Sequence, residues 1–192
     1  MALAMNKKLV LASASPSRKM LLERAGVEFT VRVSGVDENV PAGYTPAQTV
    51  ECLAERKGRA VFQLCPDCTV ISADSVVSID GMILGKPTDD EDAKVTLRRL
   101  SGRTHEIFTG VCLLSGTKQE VFHSVTQVTF YPLTEEEIAE YVAMGESRGR
   151  AGSYGIEGKG VTLVQSICGD YSNIVGLPVA ETLRRLKQLG NP

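Results

Sequence analysis

The fold is decided by residues 69–84, which read TVISADSVVSIDGMIL. The dense run of β-branched residues from Thr69 to Val77 predicts a buried β-strand. Asp80-Gly81 is a strong signal for a two-residue hairpin turn, so a returning strand should follow over residues 82–84. Asp74 interrupts the first strand, where an acidic side chain is disfavoured and costly to bury. Asp74 therefore either has a charged partner or a bound cation, or lies at an exposed edge.

The residues before this strand alternate between strand and helix patterns. Residues 8–12 form a short apolar run, and Ser15-Pro16 is a helix cap with proline at the first helical position. Residues 28–33 alternate as a second strand. Thr45 and Gln48 then form a capping box, which begins a helix that should end at about Leu64. This order of elements predicts an α/β sheet with parallel crossovers.

The helix predicted from Thr45 to Leu64 carries a lysine on its apolar stripe. Lys57 lies four residues after Leu53 and four residues before Val61, so the three side chains share one helix face. Its ammonium group either extends from the edge of the stripe to water or pairs with a buried anion. Lys57 is therefore a candidate functional residue.

The second half of the chain mixes helices with hairpins. Thr88 is predicted to cap a helix with Asp89, Asp90 and Glu91 in its first turn, where the helix dipole favours acids. The further predicted elements are a hairpin over residues 106–114 and 120–131, a helix from Thr134 to about Met144, a strand over 161–167 and a helix over 179–189. No repeat or linker divides the chain, so residues 1–192 are predicted to form a single α/β domain.

Composition and charge argue against several classes of protein. The formal net charge of −2 provides no general attraction to nucleic acid or to an anionic membrane surface. No apolar run approaches the roughly 20 residues that span a bilayer, and the first ten residues lack the pattern of a signal peptide. We therefore expect a cytoplasmic protein without nucleic-acid or membrane partners.

The five cysteines have no disulfide-framework spacing and are expected to be free thiols in a reducing compartment. Cys65-Pro66-Asp67-Cys68 has the spacing of a redox motif or half of a zinc site. A second such pair is absent, and His105 and His123 are isolated in sequence, so zinc chemistry lacks support. The simpler interpretation is a turn that joins a helix to a strand.

Common phosphate-binding and hydrolase motifs are also absent. Residues 155–160 (GIEGKG) lack the spacing of a P-loop and its Ser or Thr after the lysine. Instead, polar residues recur near the ends of apolar segments, namely Ser13, Arg18, Asp37, Glu38, Lys57, Asp74 and Lys86. A polyphosphate bound with a divalent cation requires this mixture, because carboxylates hold the metal and basic groups neutralise phosphate oxygens.

Several separated motifs together resemble one known family. They are LASASPSR at residues 11–18, SADSVV at 72–77, LGKP at 84–87, LSG at 100–102 and AGSYGIEG at 151–158. In this order they closely resemble the Maf family of nucleotide pyrophosphatases over nearly the whole chain. The resemblance implies a Maf/inosine-triphosphatase-like fold with two lobes around a cleft, a central twisted mixed sheet flanked by helices, and a homodimer.

The resemblance also implies an activity and its residues. Relatives cleave a nucleoside triphosphate to the monophosphate and pyrophosphate with a divalent metal, here Mg²⁺ or Mn²⁺. Asp74 matches the catalytic acid that accepts a proton, and Ser13 and Arg18 match the phosphate-binding loop. The remaining polar cleft residues that match are Glu38, Lys57 and Lys86. Our hypothesis is that Asp74 orients or deprotonates water for attack at the α-phosphate, while Glu38 contributes to metal binding.

Three positions bear on substrate choice. Family members that act on dTTP and UTP usually have Arg, Thr and Gln where this chain has Ser17, Ser75 and Glu157. Glu157 is typical of the branch that resembles 7-methyl-GTP pyrophosphatases, because a carboxylate accepts hydrogen bonds from guanine. Residues 169–178 (GDYSNIVGLP) favour the dTTP/UTP branch, which is our prediction, with 7-methyl-GTP as the alternative.

A different class of function is also open. The family has been connected with septum formation and cell-division arrest, as well as with the removal of unwanted nucleotides. A regulator of that kind would bind nucleotide without releasing pyrophosphate. It would have no need for an inward-facing acid beside a metal site, which makes the enzyme the favoured hypothesis.

Overall fold

The computed structural model describes residues 7–190, in which strands and helices alternate as the sequence predicts. The strands are β1 (Leu9–Leu11), β2 (Thr30–Val31), β3 (Thr69–Ile79), β4 (Met82–Leu84), β5 (Thr104–Ser115), β6 (Lys118–Phe130) and β7 (Val164–Cys168). The helices are α1 (Pro16–Arg24), α2 (Pro46–Leu64), α3 (Asp90–Leu100), α4 (Glu135–Ala143), α5 (Tyr171–Val175) and α6 (Val179–Gly190). Short 3₁₀ helices occupy Ala151–Ser153 and Lys159–Leu163.

The strands form a mixed, seven-stranded sheet, which confirms the predicted α/β class. Their order is β2-β1-β3-β5-β6-β7, and β4 pairs with β3. β1 is parallel to both β2 and β3, as expected when helices connect successive strands. β4 returns antiparallel to β3 through Asp80 and Gly81, whose positive φ angles of 53° and 75° are those of the predicted hairpin turn.

The chain divides into two compact units, each built from separate segments. Unit 1 comprises the described residues up to Asp74, then Thr109–Ser124 and the described residues from Gly176 onward. Unit 2 comprises Ser75–Phe108 and Val125–Val175. The predicted single domain over residues 1–192 stays a prediction.

The core of unit 1 has apolar side chains on both faces of its strands. Leu9 and Leu11 of β1 pack on one face with Leu22 of α1 and Leu186 of α6. The intervening Val10 packs on the other face, together with side chains of α2. Burial of alternate residues on opposite faces is typical of parallel strands that have helices on both sides. β1 is therefore fixed in register by two separate apolar clusters.

Helix α2 lies very close to the strands that it covers. A Cβ atom on Gly58 would lie 2.6 Å from the Ser72 hydroxyl oxygen, and one on Gly110 would lie 2.3 Å from the Val50 carbonyl oxygen. The Ser72 hydroxyl also donates a 2.6 Å hydrogen bond to the Ala54 carbonyl oxygen of α2. Two glycines and one serine thus allow α2 to approach β3 and β5 more closely than larger residues would.

Unit 2 contains a buried cluster of three rings. His105, Phe130 and Tyr154 contact one another edge to face, and the Tyr154 hydroxyl lies 2.8 Å from His105 Nε2. Burial lowers the pKa of His105 to about 4, so the imidazole is neutral at physiological pH. This cluster holds the beginning of the glycine-rich segment over residues 151–158.

The structure corrects three predicted boundaries and adds one helix. The side chain that caps α3 is Asp89, which accepts from the Asp92 backbone N–H, and Thr88 precedes the cap. The predicted strand over residues 161–167 begins only at Val164, because a 3₁₀ helix extends to Leu163. β2 is limited to two residues, and α5 was not predicted at all. The boundary errors lie at the ends of elements, where neighbouring residues can begin a helix or a strand with similar local hydrogen bonds.

The cysteines and the helix lengths were also considered in the sequence, and the described residues show both. All five cysteines are free thiols, and Cys65 to Cys68 form the predicted turn, closed by a 3.0 Å bond from the Cys68 N–H to the Cys65 carbonyl oxygen. None of the helices found within residues 7–190 has the length and apolar character needed to cross a membrane.

We predict that Gly110→Ala destabilises the protein by about 1–3 kcal/mol, because the new methyl group would overlap backbone atoms that cannot easily move. The contacts at fault are the Val50 carbonyl oxygen at 2.3 Å and the Glu51 nitrogen at 2.7 Å. Urea unfolding would measure the effect. Gly85→Ala is the matched control, because an added Cβ there meets nothing within 4 Å. Equal stability of the two variants would show that α2 tolerates a wider spacing.

Candidate functional site

Asp74 lies on the face of β3 that α2 covers. Val70 and Ser72 share this face, because side chains two residues apart point to the same side of a strand. Val70 packs in the apolar cluster under α2, and Ser72 hydrogen-bonds the backbone of α2 at Ala54. Asp74 is itself buried, with 8% of its surface exposed. Its carboxylate therefore faces α2 in a place where it needs a positive partner.

Lys57 of α2 supplies that partner and contacts a second acid. Its Nζ lies 2.6 Å from Asp74 Oδ1 and 2.7 Å from Glu38 Oε1. The side chains of Lys57 and Asp74 are each only 12% exposed, whereas that of Glu38 is 59% exposed. Of the two interpretations of Lys57, the structure thus supports the pairing with a buried anion. One ammonium group joins a buried carboxylate to a solvent-accessible carboxylate.

A neighbouring arginine holds the loop that carries Glu38. Arg56 Nη1 donates hydrogen bonds to the backbone oxygens of Asp37 and Asn39, at 2.7 and 2.8 Å. The Asp37 carboxylate in turn accepts from the side chain of Asn39 at 2.7 Å. Sequence reasoning missed Arg56, because bonds to backbone oxygens 17 and 19 residues away leave no local pattern. Arg56 thus holds the loop that carries Glu38, and the adjacent Lys57 of α2 contacts the Glu38 carboxylate.

Ser13 and Arg18 belong to the connection between β1 and α1. β1 pairs in parallel with β3 so that Leu11 lies opposite Ile71. Ser13 follows the end of β1, and β3 continues past that end through Asp74, so the loop that carries Ser13 begins beside this part of β3. Arg18 Nη1 donates to the Ser13 hydroxyl at 3.2 Å. This register brings the loop to the carboxylates.

The Arg18 guanidinium is held in place by a distant backbone group. Arg18 Nε donates a 2.8 Å hydrogen bond to the Gly176 carbonyl oxygen, 158 residues along the chain. Burial lowers the pKa of Arg18, and the negative charges of Asp74 and Glu38 oppose that shift. Arginine nevertheless stays cationic in proteins. The cluster therefore contains two positive groups, Arg18 and Lys57, and two negative groups.

The other predicted site residues are distributed over both units. Ser17 lies in the first turn of α1 in unit 1 and is half-buried. Ser75 follows Asp74 in β3, and Lys86 is exposed in the connection between β4 and α3, both within unit 2. The structure thus brings together Ser13, Arg18, Glu38, Lys57 and Asp74 within unit 1.

Glu157 lies in a segment of unit 2 that is fixed by several contacts. The Gly155 N–H donates to the Tyr141 hydroxyl at 3.1 Å, and the Tyr154 hydroxyl contacts His105. Glu157 Oε2 lies 3.7 Å from Arg150 Nη1. The backbone around the carboxylate is therefore held at buried points, and an arginine is its charged neighbour.

The donor set fits a divalent cation that is shared with a substrate. Mg²⁺ is usually bound by one or two carboxylates together with substrate phosphates and water, rather than by a complete protein cage. Asp74 and Glu38 are two carboxylates that meet at one ammonium group. Within residues 7–190, no cluster of three or more His, Cys, Asp or Glu is placed to hold a metal. Asp74 and Glu38 are therefore the residues that could hold such a cation together with substrate phosphates.

Comparisons with known proteins identify relatives of this chain over almost its whole length. Residues 8–189 match the family described as Maf-like protein. The dTTP/UTP pyrophosphatase of Bacillus cytotoxicus is 51% identical over 182 residues, which are 95% of this chain and 95% of that protein. Its counterpart in Bacillus pumilus is 46% identical over 95% of this chain and 97% of that protein. One from Bacillus cereus is 48% identical over 95% of each chain.

We predict an energetic coupling of about 2 kcal/mol between Lys57 and Asp74, because each is the buried counter-charge of the other. A double-mutant cycle with Lys57→Ala, Asp74→Ala and the double variant, measured by urea unfolding, would determine it. Glu91 and Lys94 are the matched control, because their ion pair is as short at 2.7 Å but the Glu91 side chain is 76% exposed. The control coupling should be close to zero. Equal couplings would contradict the account.

Proposed function

The chain belongs to the family of Maf-like proteins, and we propose that it hydrolyses a nucleoside triphosphate, with dTTP or UTP favoured, to the monophosphate and pyrophosphate. This activity makes it a hydrolase that acts on acid anhydrides. The observation that carries the proposal is the pair of short contacts from Lys57 Nζ to Asp74 and Glu38. Arg18 and Ser13 complete the set of groups that a polyphosphate and a cation require.

Arg18 and Lys57 are proposed to bind the phosphate chain. A guanidinium group can donate two parallel hydrogen bonds to phosphate, whereas an ammonium group acts as a point charge. Arg18 is already oriented through its Nε bond to Gly176, so binding requires little further ordering of this side chain. Ser13 and the N-terminus of α1 add a hydroxyl and backbone N–H groups to the same loop. Lys86 is proposed as a third cation.

Asp74 is proposed to orient and deprotonate the attacking water. A carboxylate in this role needs a fixed position and limited access to bulk solvent, and Asp74 has both. Lys57 donates a 2.6 Å hydrogen bond to Asp74 Oδ1, which fixes the position of the carboxylate that accepts the proton. The attack is directed at the α-phosphate, which leaves pyrophosphate as the departing group. The same lysine also contributes positive charge next to the phosphates as that group departs.

Glu38 is proposed to contribute to the binding of Mg²⁺ or Mn²⁺. Its side chain is the more accessible of the two carboxylates, and its loop is held by Arg56. When bound, the cation neutralises phosphate charge and helps to align the substrate. With metal binding assigned to Glu38 and water activation to Asp74, neither carboxylate has to act both as a saturated metal ligand and as a free base.

The nucleobase is proposed to be read by Ser17, Ser75 and Glu157. The similarity to dTTP/UTP pyrophosphatases favours a pyrimidine. Glu157 supports 7-methyl-GTP as the alternative substrate, because its carboxylate only accepts hydrogen bonds and guanine presents an N–H and an amino group as donors. Arg150 Nη1 lies 3.7 Å from that carboxylate. Glu157 and Arg150 together therefore present both a hydrogen-bond acceptor and a donor, which favours the pyrimidine.

We further propose a cytoplasmic location and a homodimeric state. The location is supported by the five free cysteines, which suit a reducing compartment. The dimer is supported only by the family resemblance.

We predict that Asp74→Asn lowers the turnover number for pyrophosphate release by about 10²–10⁴-fold, because an amide cannot accept the proton from water. Release of pyrophosphate from dTTP would be followed with Mg²⁺ or Mn²⁺ present. Chelation of the metal should abolish the reaction, and its return should restore it.

Asp80→Asn is the matched control for this assay. Asp80 lies at the hairpin turn of β3, is exposed and pairs with Arg103, so the same chemical change there should leave turnover intact. Near-normal turnover of Asp74→Asn would remove Asp74 from the mechanism. Nucleotide binding without pyrophosphate release by the unaltered chain would instead favour the regulatory role.

We predict that dTTP and UTP are hydrolysed with the highest kcat/KM in a panel that also contains CTP, GTP and 7-methyl-GTP. Glu157→Gln should further increase the preference for pyrimidines over 7-methyl-GTP, because it restores an amide donor. Glu140→Gln on the exposed face of α4 is the control and should leave the ratio unchanged. If 7-methyl-GTP is the best substrate and Glu157→Gln abolishes that preference, the alternative substrate is correct.

A further inference from the structure

The turn between α2 and β3 carries two thiols that play no part in the proposed hydrolysis. Cys65 is the C-cap of α2, and Cys68 immediately precedes β3. The Cys68 N–H donates to the Cys65 carbonyl oxygen at 3.0 Å, which closes a tight four-residue turn. Pro66 and Asp67, the two central residues, are both exposed.

The geometry of this turn is suitable for a disulfide bond. The ends of such a turn lie within about 7 Å of each other, and disulfides join Cα atoms about 4.4–6.8 Å apart. The two thiols are close enough that Cys68 helps to raise the pKa of the Cys65 thiol. The Cys65 thiol also donates to the Val61 carbonyl oxygen at 3.2 Å, a bond that a rotation toward Cys68 would replace.

Both thiols can be reached from solvent, because Cys65 and Cys68 are only half-buried. The other cysteines differ in their surroundings. Cys112 is fully buried, and burial raises its pKa to about 12, which makes its thiol unreactive. Cys52 lies within α2 beside Arg56, and Cys168 is exposed on β7 in unit 2.

A metal is a poor match for the pair. Structural zinc needs four ligands and catalytic zinc needs three. In the described part of the chain, no third His, Cys, Asp or Glu joins the two thiols to form such a group. Two adjacent thiols without further ligands are suited to thiol–disulfide exchange.

We propose that Cys65 and Cys68 form a dithiol site that low-molecular-weight disulfides oxidise reversibly to an intramolecular disulfide. This site is independent of the proposed hydrolysis. Disulfides in reducing compartments are usually transient and often redox-sensing. Cys65 and Cys68 agree with this, because both are free thiols at the ends of one tight turn.

The exchange proceeds in two balanced steps. The Cys68 thiolate attacks one sulfur of the small disulfide, forms a mixed disulfide and expels one small thiolate, which takes up a proton. The Cys65 thiol then loses its proton, and its sulfur attacks the Cys68 sulfur and expels the second small thiol. The two cysteines lose two electrons and two protons, and one small disulfide becomes two thiols.

The order of the two steps follows from the surroundings of Cys65. Burial, and then the neighbouring Cys68, raise the pKa of the Cys65 thiol, and the nearby Arg32 opposes this shift. Cys65 is therefore a poor first nucleophile, but it lies at the other end of the same closed turn as Cys68, which suits it to resolve the mixed disulfide. The resulting bond ties the end of α2 to the beginning of β3, the elements that carry Lys57 and Asp74.

The test is to incubate the purified full chain with oxidised glutathione and then measure intact mass and free thiols. We expect a loss of the mass of two hydrogen atoms and a fall from five free thiols by two, to three. Peptide mapping should link Cys65 to Cys68, and dithiothreitol should restore all five thiols. Cys65→Ser should instead retain glutathione on Cys68, because the resolving thiol is missing.

Cys52→Ser is the matched control and should behave like the unaltered chain. Three results would overturn the proposal. They are five free thiols after oxidation, a stable glutathione adduct on the unaltered chain, and a disulfide that joins Cys168 of two chains while Cys65 and Cys68 stay reduced.

Discussion

The ammonium group of Lys57 is the constraint on which the rest of unit 1 depends. A charge that is almost removed from water must be paired closely, and Lys57 is paired with both Asp74 and Glu38. The pairing requires α2 to lie close to β3, which the absence of a side chain at Gly58 and the bond from Ser72 allow. The packing of Gly58 against a strand and the position of the buried Asp74 carboxylate are therefore one structural requirement.

The local elements of the fold could be predicted from the sequence because each has its own signal. The β-branched run containing Asp74, the capping box at Thr45 and the hairpin at Asp80-Gly81 all lie where their patterns indicate. Lys57 and Asp74 could also be predicted as site residues from the sequence. A charged side chain on an apolar helix stripe or within a strand is costly unless it is paired. The errors were local, as when Asp89 and not Thr88 caps α3.

What could not be predicted depends on contacts between distant residues. The bonds from Arg56 to the loop around Glu38, and from Arg18 to the Gly176 carbonyl oxygen, use backbone acceptors that any residue type would supply. No residue pattern marks them, although they hold the loop around Glu38 and the Arg18 side chain, which are proposed to bind metal and phosphate. The family resemblance assigned roles to residues, and the structure adds the contacts that would make those roles physically possible.

The central claim is that water attacks the α-phosphate beside Asp74 and leaves pyrophosphate intact. Hydrolysis of dTTP in water enriched with heavy oxygen, followed by mass spectrometry of both products, tests it most directly. The account predicts that the label appears only in the nucleoside monophosphate. Label in the pyrophosphate would place the attack on the β-phosphate, and label in inorganic phosphate would show stepwise removal of the terminal phosphate. Either of these two results would contradict the account.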